Sequence, residues 1–226
     1  MRALCAAGNR NDEETGVDTG VIAELLHPFA DLQSQDLSSI SKYIDLLTKW
    51  NSRMNLTAVR DPHQMATRHF GESFFAAKSL IARDWRGLIV DVGSGAGFPG
   101  IPLAVWAGGA QVRLIESNAK KAAFLNQVIR TLELKNAKVF LGRAEIFAEH
   151  ADMVTMRAVE RFENVLPMAT GHIKPGGRIG VMIGAAQVGA ARELCPKLEW
   201  ADPIVVPGGH SRVLLAGIRN AKVDPE

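Results

Sequence analysis

The spacing of apolar residues changes character near residue 87. Upstream, Ile40, Tyr43, Ile44, Leu47 and Trp50 recur at intervals of three and four. This predicts an amphipathic helix over 38–50, capped by Ser38 or Ser39, with Asn51 and Asn55 at its exit. Asp61-Pro62 predicts the start of a second helix that turns Met65, Phe70, Phe74, Phe75, Leu80 and Ile81 inward. Downstream, short apolar runs alternate with helical patterns. LIVDV (88–92), QVRLIES (111–117), AKVFLG (137–142), DMVTMRAV (152–159) and RIGVMIG (178–184) predict strands. IPLAVWAG (101–108), AKKAAFLNQVIRTLEL (119–134), RFENVLPMATGHI (161–173, around Pro167) and AQVGAARELC (186–195) predict the helices between and after them. DPIVVPGG and SRVLLAGI predict a terminal antiparallel hairpin, giving seven strands. Such β–α alternation implies an α/β fold with a mostly parallel sheet and helices on both faces. The expected organisation is a frayed terminus over 1–20, a helical extension over 21–86, a core over 87–220 and a tail over 221–226.

Net charge is only +2 over 226 residues, so global charge says little about partners. Residues 42–86 differ: Lys42, Lys49, Arg53, Arg60, Arg68, Lys78, Arg83 and Arg86 face only Asp45, Asp61, Glu72 and Asp84. A local basic surface of this kind suits phosphates. Cys5 and Cys195 form no CxxC pair, which argues against a disulfide scaffold or a cysteine metal site. No apolar stretch has the length of a membrane span or a secretory leader, so a cytoplasmic protein without metal or membrane is expected, with a monomer as the default.

The chemistry concentrates after the first predicted strand, in DVGSGAGFPG. Gly93, Gly95 and Gly97 alternate, and glycine is placed where backbone must approach a ligand or adopt a strained turn. Ligands of parallel sheets bind beyond the carboxyl ends of strands, where this loop would lie. Gly95, Gly97 and Gly100 also satisfy G-x-G-x-x-G, and Glu116 follows 21 residues after Gly95, as for a ribose-binding acid. That pattern admits NAD or another adenosine-bearing ligand. A phosphate-binding P-loop is excluded, since no GK[ST] follows. Asp91, at the strand's exit, either holds the loop or meets a ligand ammonium through water.

DVGSGAG resembles the first motif of the class I S-adenosylmethionine-dependent methyltransferases, a Rossmann-like fold whose seven-stranded sheet ends in an antiparallel strand. LLTKWNSRMNLTAVRDPHQMATRH, DVGSGAGFPGIPLAV, LIESNAKKAAFL, GRAE and MRA occur in that order. Over roughly residues 37–184 the chain is similar to the bacterial small-subunit ribosomal RNA guanine-N7 methyltransferases, the RsmG (GidB) family. The resemblance implies that Asp91, Gly93, Ser94, Gly95, Gly97 and Phe98 surround S-adenosylmethionine. It implies that Glu116 meets its ribose, that Ser117 belongs to the cofactor site, that Ala144 and Glu145 flank adenine, and that Arg157 lies near cofactor and substrate. It assigns Asn51, Asn55, Arg60, Arg68 and His69 to positioning RNA, and Lys120 and Lys121 fit phosphate contact or a solvated face. The implied target is a guanine of 16S ribosomal RNA in the decoding-region loop, position 527, presented on RNA, on the 30S subunit or on an assembly intermediate. Two positions depart from the family pattern: Glu72 replaces the usual aspartate, and Ile183 stands where lysine is frequent.

Guanine N7 carries an in-plane lone pair and no proton, so its methylation needs no general base. The sequence agrees: it has no Asn-Pro-Pro-Tyr-like motif for an exocyclic amine and no Pro-Cys pair for attack on a pyrimidine. Arg157 is then expected to orient the base rather than to move a proton. Methylation of another RNA or a small molecule, an NAD-linked oxidoreductase and a non-catalytic RNA binder are the competing readings.

Overall fold

A computed structural model describes residues 17–157, 161–209 and 211–221. Expectations for residues 1–16, including Cys5, for Ala158–Val159 and for 222–226 lie outside the described residues.

The upstream helices are α1 (Thr19–Leu26), α2 (Ser34–Met54), α3 (Pro62–Met65) and α4 (Glu72–Leu80), the last two joined by a π-helical turn over Ala66–Gly71. Helix α1 straddles residue 20, the boundary expected between the polar terminus and the helical extension. Asp18 caps it, its Oδ1 accepting from Gly20 N at 2.8 Å and Val21 N at 3.3 Å. Helix α2 starts four residues before the expected Ser38. Asp36 Oδ2 accepts from Gln33 N at 2.9 Å and pairs with Arg83 at 2.8 Å, so the true start depends on a distant arginine. Asp61 caps α3 as expected, accepting from Gln64 N at 2.8 Å.

The core follows the predicted alternation: β1 (Leu88–Val92), α5 (Gly100–Trp106), β2 (Gln111–Glu116), α6 (Ala119–Thr131), β3 (Ala137–Leu141), β4 (Ala151–Arg157), α7 (Phe162–Gly171), β5 (Ile173–Gly184) and α8 (Val188–Leu194). Three further strands close the chain: β6 (Leu198–Trp200), β7 (Ile204–Val205) and β8 (Arg212–Arg219). The sheet order is β3-β2-β1-β4-β5-β8-β6, seven strands on the main path, with β7 as an eighth on β8. The five central strands are parallel; β8 is antiparallel to β5, β6 and β7. The predicted hairpin is β7–β8. The unread strand β6 pairs farther along the same edge of β8, and Pro203, which cannot donate to the ladder, lies in the gap between β6 and β7. The Pro175-Gly176-Gly177 turn lies inside β5, where the register against β4 shifts between Ala151 and Met153.

One face of the sheet is covered by α5, α6 and the upstream helices, which share a continuous core running from Ile22 through Phe70 and Phe124 to Leu214. The other face packs against Phe162, Leu166, Ala169 and Ala191 of α7 and α8. The extension therefore adds no separate core. Tyr43 of α2 is its keystone: the ring stacks on Phe98 (5.4 Å, 8°), meets Phe70 edge-on at 5.0 Å, and the hydroxyl donates to Ala96 O. Burying an aromatic of this size contributes roughly 2–3 kcal/mol, here directly beneath the glycine loop.

Candidate functional site

The loop after β1 and the end of β2 open onto a cleft of about 860 Å³ at the carboxyl edge of the sheet. Gly93 and Gly95 take φ of 68° and 56°, the left-handed region that side-chain-bearing residues rarely adopt. Glu116 is almost fully buried at the end of β2. Its Oε2 accepts from Gly95 N at 2.9 Å and its Oε1 from Asn118 N at 2.7 Å. The carboxylate thus fixes the loop while each oxygen keeps a second lone pair, as a ribose diol requires. Ser94, Phe98, Ser117, Ala144 and Glu145 also line the cleft. Cleft size, bare loop and buried carboxylate together fit an adenosine-bearing cofactor.

Several predicted residues lie elsewhere. Asp91 is wholly buried behind the loop, where its Oδ1 accepts from Thr155 Oγ1 at 2.9 Å and its backbone carbonyl from Ser94 Oγ at 3.0 Å. Burial pushes its carboxyl up to about 6. It braces the turn and does not line the cleft. Gly97 also faces inward: a Cβ there would collide with the Tyr43 hydroxyl and Ile101. Its small size admits helix α2. Asn51 is buried and turned away from solvent. Its Nδ2 donates to Thr57 O at 3.0 Å and Val59 O at 3.3 Å, and its Oδ1 accepts from Thr57 N at 2.9 Å. It clamps the loop over 55–60, which Asn55 opens in a left-handed conformation. Asn55 Oδ1 accepts from the exposed Arg60 at 2.7 Å. Lys121 lines the cleft but Lys120 does not; both backbone N–H groups are capped by Asn118.

The far end of the cleft is closed by the extension. Arg157, at the end of β4, reaches into the π-helical turn. Its Nη2 donates to Arg68 O at 2.8 Å and to His69 Nδ1 at 3.0 Å, and lies 3.6 Å from Glu72. Arg212 pairs with the other Glu72 oxygen at 2.7 Å. Burial raises the Glu72 carboxyl and the three neighbouring arginines oppose it. Three cations, Arg68, Arg157 and Arg212, thus gather around one buried carboxylate, beside a second cavity of about 240 Å³ that Ile183 helps line. The longer Glu72 side chain bridges Arg157 to Arg212, one oxygen to each.

His69 is buried and stacks on Phe98 at 4.9 Å. A guanidinium only donates, so Nδ1 is the acceptor; Nε2, 2.7 Å from Thr57 Oγ1, then carries the hydrogen. Burial first, then the charges of Arg157 and Arg68, lower its pKa to about 3, so the ring is neutral. The sequence reading missed Thr57, Arg143, Arg161, Asn164 and Met168 of the cleft wall and Arg212 of the cation cluster. Only the NLT context of Thr57 and the GRAE context of Arg143 offered a signal.

The model of the rRNA small subunit methyltransferase G family matches residues 36–200, through both the extension and most of the core. The chain belongs to that family. Family membership makes it a class I S-adenosylmethionine-dependent methyltransferase, with the cofactor that the cleft fits. Curated relatives include the ribosomal RNA small subunit methyltransferase G of Xanthomonas axonopodis pv. citri, 42% identical over 160 residues, covering 68% of this chain and 74% of that one. The protein of that name from Stenotrophomonas maltophilia is 39% identical over 171 residues, covering 74% and 79%. Solved structures share the fold at low identity. A ribosomal protein L11 methylase from Lactobacillus delbrueckii subsp. bulgaricus aligns with TM-score 0.58 at 12% identity, covering 68% and 79%. TYW2 of P. horikoshii in complex with MeSAdo aligns at 0.55 and 20%, covering 67% and 62%.

Proposed function

We propose that this enzyme methylates N7 of a guanine in 16S ribosomal RNA, the decoding-region guanine 527, on the 30S subunit or an assembly intermediate. The observation that carries the reading is the state of His69. It is the cleft's one histidine among the described residues, and both ring nitrogens are engaged, by Arg157 and Thr57. Glu116 is tied to two backbone amides. His69 therefore has no ring nitrogen free to take a proton from an amine or hydroxyl acceptor, and the remaining lone pairs of Glu116 are committed to the ribose. Guanine N7 has no proton to lose, and its lone pair is available at once.

Bound S-adenosylmethionine supplies an electrophilic methyl: N7 bonds to the methyl carbon while the carbon–sulfur pair returns to sulfur, leaving S-adenosylhomocysteine and a cationic base. The protein contributes placement. The Gly93–Gly95 turn and Glu116 hold the adenosine end, and Arg157, His69 and Thr57 shape the acceptor end. Arg60 and Arg68 are exposed and supply charge for phosphate. The target base must be unpaired or flipped to enter. Ribosomal RNA from cells with and without the gene, mapped by mass spectrometry and by aniline cleavage at 7-methylguanosine, tests the reading. Loss of one 7-methylguanosine in 16S RNA on deletion is expected; an unchanged methylation map would overturn it.

A further inference from the structure

The hydroxyl of Thr57 has one proton and, among the described residues, no protein acceptor for it. Its oxygen already accepts twice, from His69 Nε2–H at 2.7 Å and from Val59 N at 3.1 Å. The histidine's role as donor is forced by Arg157, which occupies Nδ1 from the other side. Thr57 is half-buried on the wall of the cofactor cleft, its backbone fixed through N and O by Asn51. A hydroxyl saturated as acceptor and held in this way is left to donate into the cleft. Arg157, His69 and Thr57 thus form a directed chain of donors ending at the acceptor side of the methyl-transfer site.

We infer that Thr57 is a specificity-determining residue whose hydroxyl donates a hydrogen bond to O6 of the target guanine, with His69 and Arg157 as the positioning residues that fix its direction. The inference rests on the guanine-N7 reading and refines it. Guanine presents two acceptors side by side on this edge, N7 and O6. A donor on N7 would occupy the attacking lone pair, whereas a donor on O6 leaves it free and fixes the ring's rotation. Adenine carries an amino group at that position, so a hydroxyl that can only donate has nothing there to receive its proton. The chain therefore separates oxo- from amino-purines through a neutral contact and without a base.

The test is a two-by-two comparison of enzyme and substrate. The substrate is a 30S particle, or an RNA fragment accepted by the wild-type protein, carrying guanosine or 2-aminopurine at the target. 2-Aminopurine keeps N7 and lacks O6. The enzyme is wild type, Thr57→Val or Thr57→Ser. Loss of one neutral hydrogen bond is expected to lower kcat/KM about tenfold. Thr57→Val should cause that loss on guanosine and almost none on 2-aminopurine, Thr57→Ser should restore it, and the Kd for S-adenosylhomocysteine should be the same in all three proteins. Losses that multiply when both changes are combined would overturn the inference and leave N7 methylation standing. So would a fall in S-adenosylhomocysteine affinity matching the fall in kcat/KM, which would assign the hydroxyl to the cofactor. Failure of the wild-type protein to methylate N7 would remove both.

Discussion

Acidification loads this fold through His69. In the native protein the ring's pKa is about 3, against 6.5 when unperturbed. A base with a depressed folded pKa protonates first in the unfolded chain. Stability therefore falls as pH drops from about 6.5 towards 3, and the deficit is absent above that window. At pH 5.0 the linkage amounts to about 2 kcal/mol; at pH 7.5 it is close to zero. Asp91 works in the opposite sense. Its folded pKa of about 6 lies above the ordinary 3.8, so the folded state takes up the proton first, adding roughly 1 kcal/mol at pH 5.0. A bare pH profile would blend the two. The variant His69→Gln separates them, because glutamine can accept from Arg157 and donate to Thr57 but cannot titrate. Urea midpoints for both proteins at pH 7.5 and 5.0, read as differences within each protein, cancel Asp91 and any constant cost of the substitution. Wild type should lose about 2 kcal/mol more than His69→Gln across the interval. Equal losses would refute a histidine held neutral between Arg157 and Thr57, and with it the donor direction inferred for Thr57.

Other consequences are equally direct. Glu116→Gln keeps an oxygen for one backbone amide, turns an NH2 donor on the other and loses the charge that favours ribose hydroxyls; S-adenosylhomocysteine affinity by calorimetry should fall about tenfold or more, and the melting temperature by a few degrees. Gly97→Ala drives a methyl into Tyr43 and Ile101 at a φ of 90°, so thermal unfolding should show a loss of about 3 kcal/mol or more. Arg157→Ala removes one of the three cations around Glu72 and leaves Arg212 and Arg68; about 3 kcal/mol of stability and most of the methylation rate should go, with cofactor affinity changed less than the rate. Removing Arg60 and Arg68 together should make RNA binding less salt-dependent, lowering the magnitude of the log–log slope by roughly 1.5; an unchanged slope would take both residues off the phosphate path.

The α/β alternation was legible because each buried strand is a short apolar run bounded by turn residues, as in LIVDV before the glycines. The methyl-donor loop was legible for a related reason: positive φ at Gly93 and Gly95 leaves little choice of residue. What escaped depends on partners far along the chain. The start of α2 rests on Arg83 pairing with Asp36, 47 residues away. Strand β6 is three residues with no pattern of its own, made a strand by β8. The family resemblance assigns Asn51 to RNA and Asp91 to the cofactor, while the sequence itself leaves Asp91 open as a residue that holds the loop. Here each spends its hydrogen bonds on backbone or on Thr155 and turns away from the cleft. Arg212 lies 140 residues beyond Glu72, and only the sheet's terminal antiparallel strand brings them together.

Tyr43 ties the history of the two halves as firmly as their geometry. A residue from the leading helices plugs the space that Gly97 leaves open under the donor loop. Trimming those helices away would therefore yield an uncovered apolar wound rather than a minimal catalyst, and grafting them from a cousin would succeed only if ring and hole travelled together. The leading helices and the glycine turn are a matched set, ring to hole.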